Sequence, residues 1–375
     1  MIPLTIINFN HIKSKIFIIF ILTGIFSLIL QVVAINDCNA RNNKDGNVNS
    51  EDTHCVVLNV NQEAAASEVV VNGITEDTDL QADFLKLKFG MFIHYNMATY
   101  KGVQWVDGYH SPADFNPGVE TIDTDAWADA AVAAGMKYAV LTAKHVAGFC
   151  LWDSKYTTYD VMHPDCPYKK DLVAQFIKSF TSRGLKVGLY YCWRHPGFDS
   201  NKRNKEFKVL PPECDPATHT MEEQIEFQKA QIAELITKYP DVFYIWNDGL
   251  DPEIMEADDF LKYIRGVRSD ILVSANWWDW SKKGTPYVDI AVTEMRHFPE
   301  DNSAPGETCW CLEQRWFWND EFKAKSADEV IPLIIKANSR NANFLLNAGP
   351  DRNGNFTKSS IKTLSEIGKT RNQVK

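Results

Sequence analysis

From Phe89 onward the chain alternates between two hydrophobic periods. Eight short runs are apolar on both faces and rich in β-branched and aromatic residues: FGMFIHY (89–95), KYAVLTAK (137–144), KVGLYYCW (186–193), VFYIWND (242–248), ILVSANW (271–277), DIAVTEM (289–295), CWCLEQRWFW (309–318) and NFLLNAG (343–349). Such runs predict buried strands. Most are separated by amphipathic stretches with helix signals. DTDAWADAAVAAG (123–135) opens on an Asp/Thr cap and ends on Gly. KDLVAQFIKSFTSRG (170–184) also stops at Gly, and MEEQIEFQKAQIAELITKYP (221–240) is closed by Pro. DDFLKYIRGVRSD and ADEVIPLIIKANSRN complete the set. Strands buried on both faces and alternating with helices pair in parallel. Eight such units predict an α/β fold, a (β/α)8-type (TIM-like) barrel. It is somewhat irregular around strands five and six, where SKKGTPYV is too short and too rich in Gly and Pro for a helix. An open doubly wound sheet is the alternative, but no GxGxxG or P-loop follows the first strand.

The N-terminal part follows a different pattern. Lys13 and Lys15 precede IFIIFILTGIFSLILQVVA, an apolar segment of signal-peptide type with small residues at 32–34. Residues 1–34 are therefore expected to be a signal peptide, cleaved near Ala34, with a secreted or periplasmic product. An uncleaved membrane anchor, or a lipid attached at Cys38, is the alternative. Residues 35–78 are polar and rich in Asn, Asp, Glu and Ala, as a lead-in or linker would be. The catalytic domain is expected over 79–375, compact from about Ala82. The chain stops soon after the eighth strand and one helix, so no C-terminal β-sandwich is expected in it.

Composition narrows the partners. Hydrophobic residues make up 45% and charged residues 23%, ordinary for a folded domain. The net charge of -10 argues against a sequence-independent grip on nucleic acid, so no nucleic-acid partner is expected, and no membrane partner after signal cleavage. The eight Cys have irregular spacings, which permits disulfides in an exported protein. With no paired CxxC and no HExxH, neither a metal nor another cofactor is expected. Asn355-Phe-Thr is a lone glycosylation sequon.

In a barrel of this kind the active site is built at the C-terminal ends of the strands. The first strand ends in His94, Tyr95 and Asn96, the second in Lys144 and His145, the third in Tyr191 and Trp193. The fourth ends in Trp246, Asn247 and Asp248, the sixth in Glu294 and Arg296, the eighth in Asn347, and Glu307 lies just before the seventh. Each alone could be a solvated strand cap. Together they put carboxylates, aromatic faces and hydroxyl-binding groups on one rim. Two carboxylates among Trp, Tyr and His are the equipment of glycoside hydrolysis, one ionised to attack and one protonated to assist the leaving oxygen. A barrel using Lys144 as a Schiff-base amine is a further alternative.

From about Ala82 onward the chain resembles glycoside hydrolase family 29, the α-L-fucosidases. The likeness rests on KFGMFIHYN, LTAKHVAGFCLWDSKYT, GLKVGLYYCW, YIWNDG and ANFLLNAGPDRNG, in that order. It implies a retaining exo-glycosidase acting on α-L-fucosides or closely related α-L-glycosides, with a fucosylated oligosaccharide or glycan as substrate. It implies Asp248 as nucleophile and Glu294 as acid/base, with Glu307 the alternative acid/base. It also implies sugar contacts from His94, Trp105, His145, Tyr191, Trp246, Arg296 and Glu307. The chain departs from the family pattern in places. KHVAGF carries Val146 and Ala147 where the family commonly has His-Asp. Gln104 precedes Trp105 where the family often has Glu, and Trp277 stands where an Arg is often found. Such losses bear on which hydroxyls are read. A catalytically weak or inactive carbohydrate-binding protein on the same fold is the alternative function.

Overall fold

The computed structural model describes residues 6–7, 16–23, 27–34, 78–106, 109–193, 220–249, 257–276 and 288–373. The chain divides into two units, Met1–Val70 and Val71–Lys375. In the first, strands Ile16–Thr23 and Ser27–Ala34 form an antiparallel hairpin running from Ile16 opposite Ala34 to Thr23 opposite Ser27. Ile6–Ile7 adds to its edge. The apolar segment expected to be a signal is thus extended in its described part. Among the described residues no helix is long and apolar enough to cross a membrane. Most of the expected lead-in (35–77), and residues 277–287 of the connection between strands five and six, with Trp277 among them, lie outside the described residues.

The second unit is a closed, eight-stranded parallel barrel. Its strands are β1 (Phe89–Ile93), β2 (Tyr138–Lys144), β3 (Lys186–Cys192), β4 (Val242–Asp248), β5 (Leu272–Asn276), β6 (Ile290–Glu294), β7 (Gly306–Cys311) and β8 (Ala342–Asn347). Each pairs with the next, and β8 pairs with β1 to close the ring. The seam between β5 and β6 is the shortest, pairing only Ser274 with Ile290 and Ala275 with Ala291. Asp289 reinforces it. One carboxylate oxygen accepts from the Val273 amide at 2.7 Å, and the other meets Arg265 at 2.6 Å.

Two shells of side chains make the core. One fills the barrel and the other lies between barrel and helices. Inside, a bulky residue on one strand needs a small one opposite. A Cβ on Gly90 would stand 2.5 Å from the Tyr138 ring, so the glycine makes room for the phenol. Helix α1 (Thr78–Leu87) closes the N-terminal end of the barrel. Its Phe84 is buried against Tyr138 and Tyr244, and its Phe84 carbonyl accepts from Asn343. This helix begins ahead of the expected compact start at Ala82. Helices α2 (Thr124–Ala133) and α3 (Leu172–Thr181) begin on Asp caps. Helices α4 (Met221–Lys238) and α5 (Ala327–Asn338) begin on complete capping boxes. Cys150, Cys166, Cys309 and Cys311 are buried thiols rather than disulfides.

Candidate active site

Asp248 and Glu294 are the last residues of β4 and β6. Strand alternation aims both into the barrel mouth, above inward-facing Tyr244 and Trp246 on β4 and Ile290 and Val292 on β6. Between them stands Asn276, the last residue of β5. Its amide nitrogen donates to Glu294 Oε1 at 2.6 Å and to Asp248 Oδ1 at 3.2 Å. Those two oxygens can be no further apart than the two bonds laid end to end. The two carboxyls therefore face one another across a single amide group.

The two carboxyls have unlike surroundings. Asp248 Oδ2 accepts from the Tyr190 hydroxyl at 2.6 Å, and Oδ1 accepts from Asn276. The Tyr190 phenol is held well above its ordinary range, first by burial and then by Asp248, so it stays a donor. Glu294 is raised to about 7, first by burial and then by the negative charge of Asp248. The Asn276 hydrogen bond and the Arg296 charge pull it the other way. Immediately beyond Glu294, Met295 adopts a left-handed backbone with φ 51°, uncommon for a residue with a side chain. The Arg296 carbonyl then accepts from Thr293 at 3.0 Å and from Thr308, which fixes the turn.

His94 and His145 form the opposite wall, with ring centroids 6.0 Å apart. Asn347 donates its amide nitrogen to the Trp316 carbonyl at 2.7 Å, which orients Oδ1 towards His94 Nδ1, also at 2.7 Å. His94 therefore carries its proton on Nδ1 and offers a lone pair at Nε2. Burial, then His145, hold its pKa well below the ordinary value, so the ring is neutral. Burial alone brings His145 down to about 3. Its Nδ1 is buried and has no hydrogen-bond partner among the described residues. Neutral imidazoles of this kind can accept and donate to sugar hydroxyls without competing for the catalytic proton. Thr142 Oγ1 pins the backbone around His94, accepting from the Tyr95 amide and bonding the Ile93 and Tyr95 carbonyls. Trp316 stacks on His94 at 5.1 Å, and Phe317 meets both histidines edge-on.

The remaining expected residues divide. Trp105 is 61% exposed beside Gln104, whose amide bonds the Phe317 backbone in both directions at 3.0 and 3.1 Å. The loop carrying Trp105 is thus anchored to the corner that lines the histidines. Arg296 is exposed at the rim beyond Glu294. Val146, in the position of a family His, is partly buried and packs against both core shells, so this part of the wall is apolar.

Tyr191, Trp246 and Glu307 need correction as sugar contacts. Tyr191 faces the outer shell, fully buried, accepting from Lys144 Nζ at 2.9 Å and donating to Gln231 at 2.8 Å. Tyr190 is the inward residue instead, because side chains alternate along β3. Lys144 points outward too, which removes the Schiff-base alternative. The register between β2 and β3 slips between Thr142 and Lys144. That bulge turns Lys144 out and His145 in. Trp246 is inward but buried beneath Asp248, stacked on Tyr190 at 5.3 Å. Glu307 does not precede β7 but is its second residue, fully buried inside the barrel and paired with Val292, two residues before Glu294. It accepts from Trp246 Nε1 at 2.8 Å, Tyr244 at 3.1 Å and Tyr138. No open face is left for a sugar or a leaving group. Sequence reasoning also passed over Tyr190, Asn276, Trp316 and Phe317.

This geometry agrees with the comparisons to known proteins. The family described as alpha-L-fucosidase matches residues 56–372. Alpha-L-fucosidase 1 of Arabidopsis thaliana is 26% identical over 314 residues, covering 76% of this chain and 58% of that protein. The tissue alpha-L-fucosidase of Rattus norvegicus is 26% identical over 325 residues, covering 76% of this chain and 67% of the relative. The chain thus spans somewhat over half the length of the Arabidopsis relative. Among solved structures, alpha-L-fucosidase isoenzyme 1 from Paenibacillus thiaminolyticus superposes with a TM-score of 0.66 at 27% identity, covering 80% of this chain and 76% of that one. With its barrel closed and its carboxylates at the strand ends, the chain belongs to the α-L-fucosidase family.

Proposed function

We propose that the protein is a retaining exo-glycosidase that hydrolyses α-L-fucosides, or closely related α-L-glycosides, by double displacement. The observation that carries this is the pair Asp248 and Glu294 on one Asn276 amide, with Glu294 raised to about 7. In the first step the Asp248 carboxylate attacks the anomeric carbon while Glu294 gives its proton to the leaving oxygen. The products are a glycosyl ester on Asp248 and the free alcohol. In the second step ionised Glu294 takes a proton from water, the hydroxide oxygen bonds the anomeric carbon, and the ester bond breaks to release Asp248. Glu294 is suited to both roles because a pKa near working pH lets it hold and accept the proton in turn. His94 and His145 would bind ring hydroxyls. Trp316 and Phe317 would take the apolar side of a 6-deoxy sugar, including its methyl group. Trp105, exposed on the anchored loop, would meet sugar or aglycone at the entrance.

Two variants test this. Asp248→Asn should fold and lose nearly all turnover, because an amide cannot form the glycosyl ester. Glu294→Ala should be slow on fucosides with poor leaving groups and should accumulate intermediate with an activated aryl fucoside. Azide should then restore turnover and yield a fucosyl azide of retained configuration. Near-normal rates in folded Asp248→Asn would refute the assignment. Wild-type protein that binds L-fucose but turns over no fucoside would be a binding protein on this fold.

A further inference from the structure

Glu307 is the most deeply buried carboxyl near the site, and the two-step reaction gives it nothing to do. It lies inside the barrel below the catalytic layer, and its three hydrogen-bond donors come from β2 and β4. One of them, Trp246, can use its indole nitrogen only as a donor. With that nitrogen fixed at 2.8 Å from Oε1, the indole plane is fixed as well. Tyr190 is clamped between this plane and the His145 ring, at centroid distances of 5.3 and 5.7 Å and interplanar angles of 23° and 22°. The Tyr190 hydroxyl, at the end of that stack, donates to Asp248 Oδ2.

We propose that Glu307 is a positioning residue for the nucleophile, acting on Asp248 through Trp246 and Tyr190. This rests on the reading of Asp248 as nucleophile. The relay sets where the Tyr190 hydroxyl stands, and so the angle from which the carboxylate meets the anomeric carbon. Glu307 does not touch substrate and transfers no proton to it. Either charge state of Glu307 serves. A carboxylate accepts from all three neighbours. A neutral acid keeps Oε1 for Trp246 and Tyr244 and shares the Oε2 proton with Tyr138. Burial raises Glu307 to about 7 against its three hydrogen bonds, so both forms are populated near neutrality.

The test compares Glu307→Gln, Glu307→Met, Tyr190→Phe and the double variant Glu307→Met/Tyr190→Phe in the full chain, with folding checked by circular dichroism. Glutamine can present its carbonyl oxygen to Trp246 and Tyr244 and its amide to the Tyr138 oxygen. It should keep kcat within a few-fold of wild type. Methionine fills the space but accepts nothing, and should lower kcat for an aryl fucoside on the order of tenfold to a hundredfold, with KM little changed. Because the effect passes through Tyr190, adding Glu307→Met to Tyr190→Phe should cost less than twofold. Fully additive losses would overturn the relay. So would a folded methionine variant with wild-type kcat, or a glutamine variant as slow as methionine, since the last would make the charge itself the functional element. Asp248→Asn is assayed alongside. If it is active, the nucleophile assignment fails. If it is inactive while Glu307→Met is normal, only the relay fails.

Discussion

Asn276 gives the sharpest test of how the site sets its proton balance, because one amide nitrogen serves both carboxyls. As the proposed acid, Glu294 must be protonated to assist the leaving oxygen, so kcat/KM should be present below its pKa and lost as pH rises through it. The alkaline limb therefore reports Glu294. A donor at 2.6 Å from Oε1 favours the ionised form and holds this pKa down against burial and Asp248. Asn276→Ala removes that donor, and the limb should move to higher pH. A hydrogen bond to a charged group is worth about 1.5–3 kcal/mol. One pKa unit corresponds to about 1.36 kcal/mol, which sets an upper range of about one to two units. Glu294 is only partly buried, and water will replace some of the lost bond. The expected shift is therefore about one unit.

The assay is kcat/KM against pH on a fucosyl disaccharide or alkyl fucoside, where departure of the alcohol needs the proton. An activated aryl fucoside is the control. Its leaving group needs little protonation, so its alkaline limb should be shallow and should not follow the variant. The variant also strips a donor from Asp248, so the plateau should fall as well as the limb move. A limb that stays in place, or moves to lower pH, would falsify the claim that Asn276 restrains the proton on Glu294.

Two further expectations concern stability. Glu307 is raised from 4.5 to about 7 by burial, so the folded protein binds its proton more tightly than the unfolded chain does. Its contribution is complete below about pH 4.5 and is lost as pH rises towards 7. The Tm advantage of wild type over Glu307→Gln should therefore shrink between pH 5 and pH 8, and a constant gap would count against a carboxyl held neutral there. At the other end of the barrel, a Cβ on Gly368 of α6 (Lys358–Gln373) would stand 1.8 Å from the Ala133 carbonyl oxygen of α2. Gly368→Ala should then cost about 1–3 kcal/mol or more, read as a lower Tm with kcat/KM per folded molecule unchanged. A wild-type Tm would show that these helices can part cheaply.

Much of the barrel was legible because its signals are local. Runs apolar on both faces, an Asp/Thr cap and Gly stops each involve a few neighbouring residues, and β4 matches its expected limits at Val242 and Asp248. The two carboxylates at the strand ends were legible for a related reason, since an acidic residue closing an apolar strand contradicts its surroundings. What failed was phase. A strand buried on both sides gives no clue to which face points inward, so Tyr191 stood in for Tyr190. The bulge after Thr142, which exchanges Lys144 for His145, leaves no mark in KYAVLTAK. CWCLEQRWFW reads as one apolar run, yet the strand ends at Cys311, where Lys325 binds the Cys311 and Glu313 carbonyls and the chain turns. Trp316 and Phe317 were thereby hidden in a strand that does not exist. Glu307 was misplaced because Gly-Glu-Thr looks like a loop. Its burial depends on donors from β2 and β4, far away in sequence.

These phase errors share one remedy, and it lies in the barrel itself. Once Asp248 is taken as inward, the parallel register makes Cys192 and Asn276 its neighbours in the same layer. Stepping back two residues on β3 and β4 then places Tyr190 beside Trp246. Beyond β5 the register sets Ser274 opposite Ile290, so Val292 and Glu294 share the inward facing, and Glu294 pairs with Cys309 on β7. Two residues before Cys309 is Glu307, inward and one level down. A single carboxylate identified from its chemistry thus fixes the facing of the strands around it. That is why Asn276 and Tyr190 are the donors Asp248 meets, and why Glu307 can act on it only from below.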